Sequence, residues 1–124
     1  MRCDEDNSVQ SLMLSSNNLK GTVPTEIYYL KSLSTLSLNK NEVSISFKGI
    51  DNAEKLRSLD LSATGLSSIT GISNAHSLVD LHLEQNSFSG PIPNELVCIY
   101  TFFSSLRYFF LLNTYYFLSS TFQI

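Results

Sequence analysis

Residues 78–93 read Leu-Val-Asp-Leu-His-Leu-Glu-Gln-Asn-Ser-Phe-Ser-Gly-Pro-Ile-Pro. The apolar residues Leu78, Leu81, Leu83 and Phe88 stand at offsets 0, 3, 5 and 10, with Asn86 at offset 8. A helix would place them at i, i+3, i+4 and i+7, and a long strand would alternate them strictly. The spacing satisfies neither pattern over its whole length. It does suit a short strand carrying Leu81 and Leu83 on one face, a turn closed at Asn86, and a return path.

The same spelling recurs upstream. Val9, Leu12, Leu14, Asn17 and Leu19 hold the same offsets, and Gly21, Val23 and Pro24 match Gly90, Ile92 and Pro93. Leu33, Leu36, Leu38, Asn41 and Val43 form a second unit. Leu56, Leu59, Leu61 and Leu66 form a third, with Thr64 in place of the asparagine. The units start at 9, 33, 56 and 78, giving periods of 24, 23 and 22 residues. Repetition at such a period is the mark of a stacked architecture.

These residues carry a family likeness. The pattern resembles the leucine-rich repeat, and the Leu/Phe-x-Gly-x-Ile/Val-Pro ending of the first and fourth units resembles the subclass common in plant-type receptors. Cys3-Asp-Glu-Asp-Asn-Ser-Val9 looks like the end of the N-terminal cap that precedes such arrays. Units two and three depart from the subclass, because Ser44-Ile45-Ser46-Phe47 and Ser67-Ser68-Ile69-Thr70 lack the glycine and proline. The resemblance implies an α/β solenoid, with a parallel β-sheet on one face and short 3-10 or helical turns and loops on the other. It also implies an extracellular or membrane-tethered recognition module. The expected division is a cap remnant at 1–8, four repeats at 9–32, 33–55, 56–77 and 78–101, and an aromatic-rich tail at 102–124.

The physics agrees with the pattern independently. One strand and one return segment cannot bury their own apolar residues, so each unit needs a neighbour. Stacking puts leucine on leucine, with strands about 4.8 Å apart. Asn17, Asn41 and Asn86 are expected to turn inward and satisfy backbone groups at the bend. Thr64 has shorter reach, so the third coil is expected to be the loosest. On the return side, Ile27, Leu30, Leu96 and Ile99 recur at i, i+3, which suits a 3-10 turn. Pro24 and Pro93 precede those turns, where a missing N–H does no harm. The leucines read as core, not as binding residues.

Composition narrows the function classes. At 124 residues, 43% hydrophobic and 15% charged, the chain is one domain's worth of ordinary globular composition. A net charge of −3, with no Lys/Arg cluster, argues against a nucleic-acid surface. The N-terminus is acidic and polar and lacks the basic and apolar regions of a signal peptide. No Asn-x-Ser/Thr acceptor occurs. Cys3 and Cys98 make no disulfide framework. They fall at opposite ends of the array, roughly 15 Å apart at about 4.8 Å per coil, well beyond the ~7 Å that a disulfide spans. Cys3 is expected to answer a cysteine upstream of this chain.

From Cys98 onward the character changes, with ten of the fourteen aromatic residues and a single charge, Arg107. Three readings compete. Leu106, Phe109, Leu111 and Tyr116 hold the offsets of a degenerate fifth unit. Val97 to Leu118 is 22 residues, long enough for a membrane segment, although Arg107 at mid-span costs roughly 2.5–3.5 kcal/mol. The tail could also be foreign to the module.

Side chains between the core leucines point outward from the strands. In unit order they are Gln10, Ser11, Met13, Ser15; Ser34, Thr35, Ser37, Asn39; Arg57, Ser58, Asp60, Ser62; and Val79, Asp80, His82, Glu84. Arg57, Asp60, Asp80, His82 and Glu84 are the candidate partner-binding residues, the last four forming an acidic patch with a histidine inside it. A Ser-His-Asp triad needs histidine in the middle, whereas the column reads Ser37, Asp60, His82. No Gly-rich turn offers an oxyanion hole. A divalent cation would find suitable ligand types in the patch, but a flat sheet face spaces them poorly. The expectation is a non-enzymatic module without metal or other cofactor, binding a protein or peptide. An acidic face suits a basic partner. The alternative is a structural fragment of a larger array.

Overall fold

A computed structural model describes residues 1–88 and the backbone strand Tyr108–Phe110. The described strands are β1 (Arg2–Cys3), β2 (Val9–Met13), β3 (Lys20–Val23), β4 (Thr35–Ser37), β5 (Glu42–Ile45), β6 (Ser58–Asp60), β7 (Asp80–His82) and β8 (Tyr108–Phe110). One sheet runs β1-β2-β4-β6-β7-β8, and a second, lateral one pairs β3 with β5. All pairings are parallel except β1 on β2. The chain thus coils as a solenoid, one strand of the main sheet per turn.

Register follows the leucines. Leu12 pairs with Leu36, Leu36 with Leu59, Leu59 with Leu81, and Leu81 with Phe109. Leu36, Leu59 and Leu61 have no exposed surface, because leucines of both adjoining coils cover them. The first coil differs: Val9, Leu12, Leu14 and Leu19 are half-buried and pack on the core from outside it. Among the described residues, only the two-residue β1 flanks β2 on that side. Beyond the backbone pairing of β8, the three readings of the tail lie outside the described residues, as do Pro93, Leu96, Cys98 and Ile99.

The return side carries 3-10 turns at Thr25–Tyr29, Ile50–Asn52 and Ile72–Asn74. Pro24 leads into the first. The other two start after Gly49 and Gly71, whose φ of 83° and 90° place them in the left-handed region that glycine adopts without strain. Coils two and three therefore replace the proline entry with a glycine one. Ile50 and Ile72 close the core beneath these turns.

Tyr28 is a core residue that the periodicity does not single out. It is fully buried, and its hydroxyl donates to the Ser46 carbonyl at 2.8 Å. Burial pushes its ionisation well above the usual 10.0. A raised folded-state pKa adds stability that is complete below the unfolded value and is lost as pH climbs toward the folded one. Urea midpoints should therefore begin to fall above about pH 10. A Tyr28→Phe variant should lose about 1 kcal/mol at neutral pH with the hydrogen bond, and its alkaline slope should be shallower. An identical slope in both proteins would remove Tyr28 as the cause.

The asparagines behave according to what lies before them. Asn41 reaches back to the first coil: its Oδ1 accepts from the Asn17 and Leu19 N–H groups, each at 3.0 Å. Its Nδ2 donates to the Leu14 and Leu38 carbonyls at 2.8 and 2.9 Å. Asn86 repeats this toward the third coil, accepting from Thr64 and Leu66 and donating to Leu61 and Leu83. Asn17, in contrast to the inward turn expected of it, is exposed and donates to the nearby Ser15 carbonyl. Among the described residues, β1 rather than a coil lies before it, so a backward bridge has nothing there to grip. The hydroxyl of Thr64 donates at 2.8 Å to the Leu61 carbonyl of its own coil. Looseness therefore falls on one side of the third coil, since Asn86 still holds the other.

Candidate functional site

The outward face of β2, β4, β6 and β7 brings the sequence-derived candidates into defined columns. Met13, Ser37, Asp60 and His82 are aligned strand to strand, as are Ser11, Thr35, Ser58 and Asp80. The triad order is thereby settled geometrically: the aspartate stands between the serine and the histidine. Among the described residues, no group of three or more His, Cys, Asp or Glu side chains could hold a metal ion.

Asp60, His82 and Glu84 are joined by a polar network. The Asn39 side-chain amide donates to Asp60 Oδ2 at 2.6 Å. The Ser62 amide donates to Asp60 Oδ1 at 3.0 Å. The Ser62 hydroxyl lies within hydrogen-bond distance of both Asp60 Oδ1 and Glu84 Oε2. One hydroxyl hydrogen serves only one of these acceptors at a time. Glu84 Oε1 in turn sits 3.2 Å from His82 Nδ1. His82 and Glu84 keep 33% and 25% of their side-chain surface, so a partner can still reach them. Asp60 and His82 pair in register, while Asp60 oxygens are engaged by Asn39 and Ser62.

Arg57 and Asp80 stand apart, toward the N-terminal ends of the strands. Arg57 is exposed and Asp80 half-buried. Their link is through the backbone, where the Arg57 carbonyl accepts from the Asp80 N–H at 2.9 Å.

Two features of the face escape residue-type reasoning. Ser37 is buried rather than displayed, and its hydroxyl meets that of Ser15 at 2.9 Å. Met13, at the same level one coil earlier, is 65% exposed. The face therefore runs from an apolar projection at Met13, across a recess at Ser37, to the acidic network. Ser62 and Asn39 organise that network, and the signal for them is positional: each lies two residues beyond an outward residue of the Met13 column.

The architecture matches known proteins. The Leucine Rich Repeat family model matches residues 8–30 and 77–99. Receptor-like protein 41 of Arabidopsis thaliana is 37% identical over an alignment of 94 residues that covers 72% of this chain and 11% of that protein. The chain thus spans about a tenth of that relative's length. Among solved structures, the BIR2 ectodomain from Arabidopsis thaliana superposes with a TM-score of 0.64 at 29% identity, covering 75% of this chain and 50% of that one. The crystal structure of PEPR1-AtPEP1 gives a TM-score of 0.55 at 32% identity, covering 72% of this chain and 13% of that one.

Proposed function

We propose that this chain, which belongs to the leucine-rich repeat family and resembles plant receptor-like ectodomains, is a recognition module that binds a protein or peptide across the outward face of its parallel sheet. The observation carrying this reading is the half-exposed network of Asp60, Ser62, His82 and Glu84. It lies on the outward face and is built from side chains, apart from the Ser62 N–H that Asp60 accepts. Arg57 and Asp80 border the same surface, and Met13 offers an apolar anchor. The likeness to PEPR1-AtPEP1, a structure whose name pairs two components, supports the reading.

The partner is basic on this view. Two carboxylates competing for one serine hydrogen leave an acceptor that a lysine or arginine side chain satisfies. The same reading places the chain outside the cell or at the plasma membrane. It keeps the division into a cap remnant at 1–8, repeats at 9–32, 33–55, 56–77 and 78–101, and a tail at 102–124. The aligned share of receptor-like protein 41, 11%, favours one alternative: a structural piece of a longer array with no binding of its own.

Fluorescence anisotropy separates the two. A short Lys/Arg-rich peptide should bind the isolated chain, and its glutamate-for-lysine counterpart should not. Binding should weaken as salt screens the pair. The double change Asp60→Asn and Glu84→Gln should reduce affinity about tenfold, since half-exposed ion pairs contribute up to about 1 kcal/mol each. Equal binding of both peptides, or indifference to the double change, would exclude the acidic face as the docking surface.

A further inference from the structure

Each pair of neighbouring coils can be compared at equivalent positions. On the sheet side the junctions are alike. Leu14 N–H to Ser37 C=O is 2.8 Å, Leu38 N–H to Asp60 C=O is 2.9 Å, and Leu61 N–H to His82 C=O is 2.9 Å. On the turn side they are not. The first and second coils are joined by Asn41, by Glu42 N–H to Leu19 C=O at 2.9 Å, and by the β3–β5 ladder. The third and fourth are joined by Asn86 and by Ser87 N–H to Leu66 C=O at 2.9 Å.

Between the second and third coils all these links are missing among the described residues. Thr64 occupies the asparagine position, and its hydroxyl meets Leu61 of its own coil and Asn86 of the fourth, not the second coil. Gly65 N–H and Val43 C=O, the equivalents of the Glu42–Leu19 and Ser87–Leu66 pairs, are not hydrogen-bonded to each other. No strand of the third coil pairs with β5. A cavity of about 540 Å³ on the turn side is lined by residues 18–20 of the first coil, 40–42 of the second and Ala63 of the third, so it is not confined to this junction. The junction remains closed at the sheet, and at the corner before it, where the Ser77 hydroxyl donates to the Glu54 carbonyl at 2.6 Å.

We propose that the junction between the second and third coils is a hinge, with the β4–β6 strand pair as its spine and the turn side as its opening edge. Few links on one side and a full ladder on the other is the arrangement that lets a segment open without global unfolding. The spine runs under the outward face where Asn39 meets Asp60. Opening the turn side therefore changes the curvature of that face. A partner lying across β4 and β6 would set the hinge angle. That consequence rests on the proposed docking surface, whereas the hinge itself does not.

Amide hydrogen exchange on the whole chain, corrected for intrinsic rates, tests the hinge without any partner. In the wild type, the Gly65 amide should exchange at least about tenfold faster than the equivalent Glu42 and Ser87 amides. Thr64→Asn should complete the missing bridge and slow the Asn41 and Val43 amides by about tenfold. The spine amides of Leu38 and Lys40 should stay unchanged. Gly65 protected as well as Glu42 and Ser87 would overturn the proposal. So would a uniform rise in protection in the variant, which would mean general stabilisation. Should Thr64→Asn not fold, the wild-type comparison decides alone.

Discussion

Leu59→Ala is expected to unfold the array, or to lower its stability by about 2–5 kcal/mol. Leu59 has no exposed surface, and it stacks in register between Leu36 and Leu81. Removing its branched end opens a void against both neighbouring coils at once. In a solenoid each coil is stabilised by its interfaces with the next, so one central void weakens two interfaces. The strands around it are only three residues long and cannot tilt inward to fill the gap without breaking their ladders. Leu12→Ala is the informative contrast. Leu12 sits on the same column but is half-buried, with a leucine on one side only. Its loss should cost roughly half as much, nearer the lower end of that range. Urea midpoints of the two variants measure the difference. Equal midpoints would show that the column is not graded from edge to centre, and no shift in either would refute the leucine register.

That register was legible because burial repeats in one dimension. Every coil must present apolar side chains at the same offsets to meet its neighbours, so Leu36, Leu59 and Leu81 announce themselves by spacing alone. Asn41 and Asn86 were legible for a related reason: a buried bend must satisfy its backbone, and an asparagine supplies both an acceptor and donors. What spacing could not convey is asymmetry. An asparagine grips the coil before it, so Asn17, in the first described coil, is exposed and Thr64 loosens only one junction. Tyr28 was hidden because its position one residue after Ile27 is occupied by the exposed Asp51 in the next coil. A longer first turn, Thr25–Tyr29, lets the ring rotate inward.

The candidate face was legible in outline and not in detail. Strand alternation put Asp60, His82 and Glu84 outward together, and the pairing of Asp60 with His82 follows from the repeat starts. The hydrogen-bond choices within the face depend on side-chain reach between columns, which no period encodes. Ser62 bridges two coils because its short side chain lies between a carboxylate of its own coil and one of the next. Ser37 is buried because residues larger than serine flank it in the same column, Met13 on one side and Asp60 on the other.

Asn41→Ala should be nearly as damaging as the central leucine change, and for an unrelated reason. Asn41 is 4% exposed, and alanine would remove five hydrogen bonds: two N–H groups accepted at 3.0 Å, and carbonyls reached at 2.8, 2.9 and 3.2 Å. Alanine leaves the Asn17 and Leu19 amides facing an apolar methyl. Each buried donor left unmade costs about 1–3 kcal/mol, so a loss of about 2–5 kcal/mol is expected. Asn41→Asp separates the two halves of the effect. It keeps an acceptor for the amides but turns an oxygen toward the Leu14 and Leu38 carbonyls, where only a donor fits. That variant should be destabilised at neutral pH and should recover part of the loss in acid, when the protonated carboxyl can donate to one carbonyl. Asn17→Ala is the control. Its side chain is exposed and donates once, to Ser15, so its midpoint should move by no more than about 0.5 kcal/mol. An Asn41→Asp protein as stable as the wild type at neutral pH would show that the donor half of the bridge contributes nothing. An Asn17→Ala loss equal to that of Asn41→Ala would show that the asparagines act within their own coils and not between them.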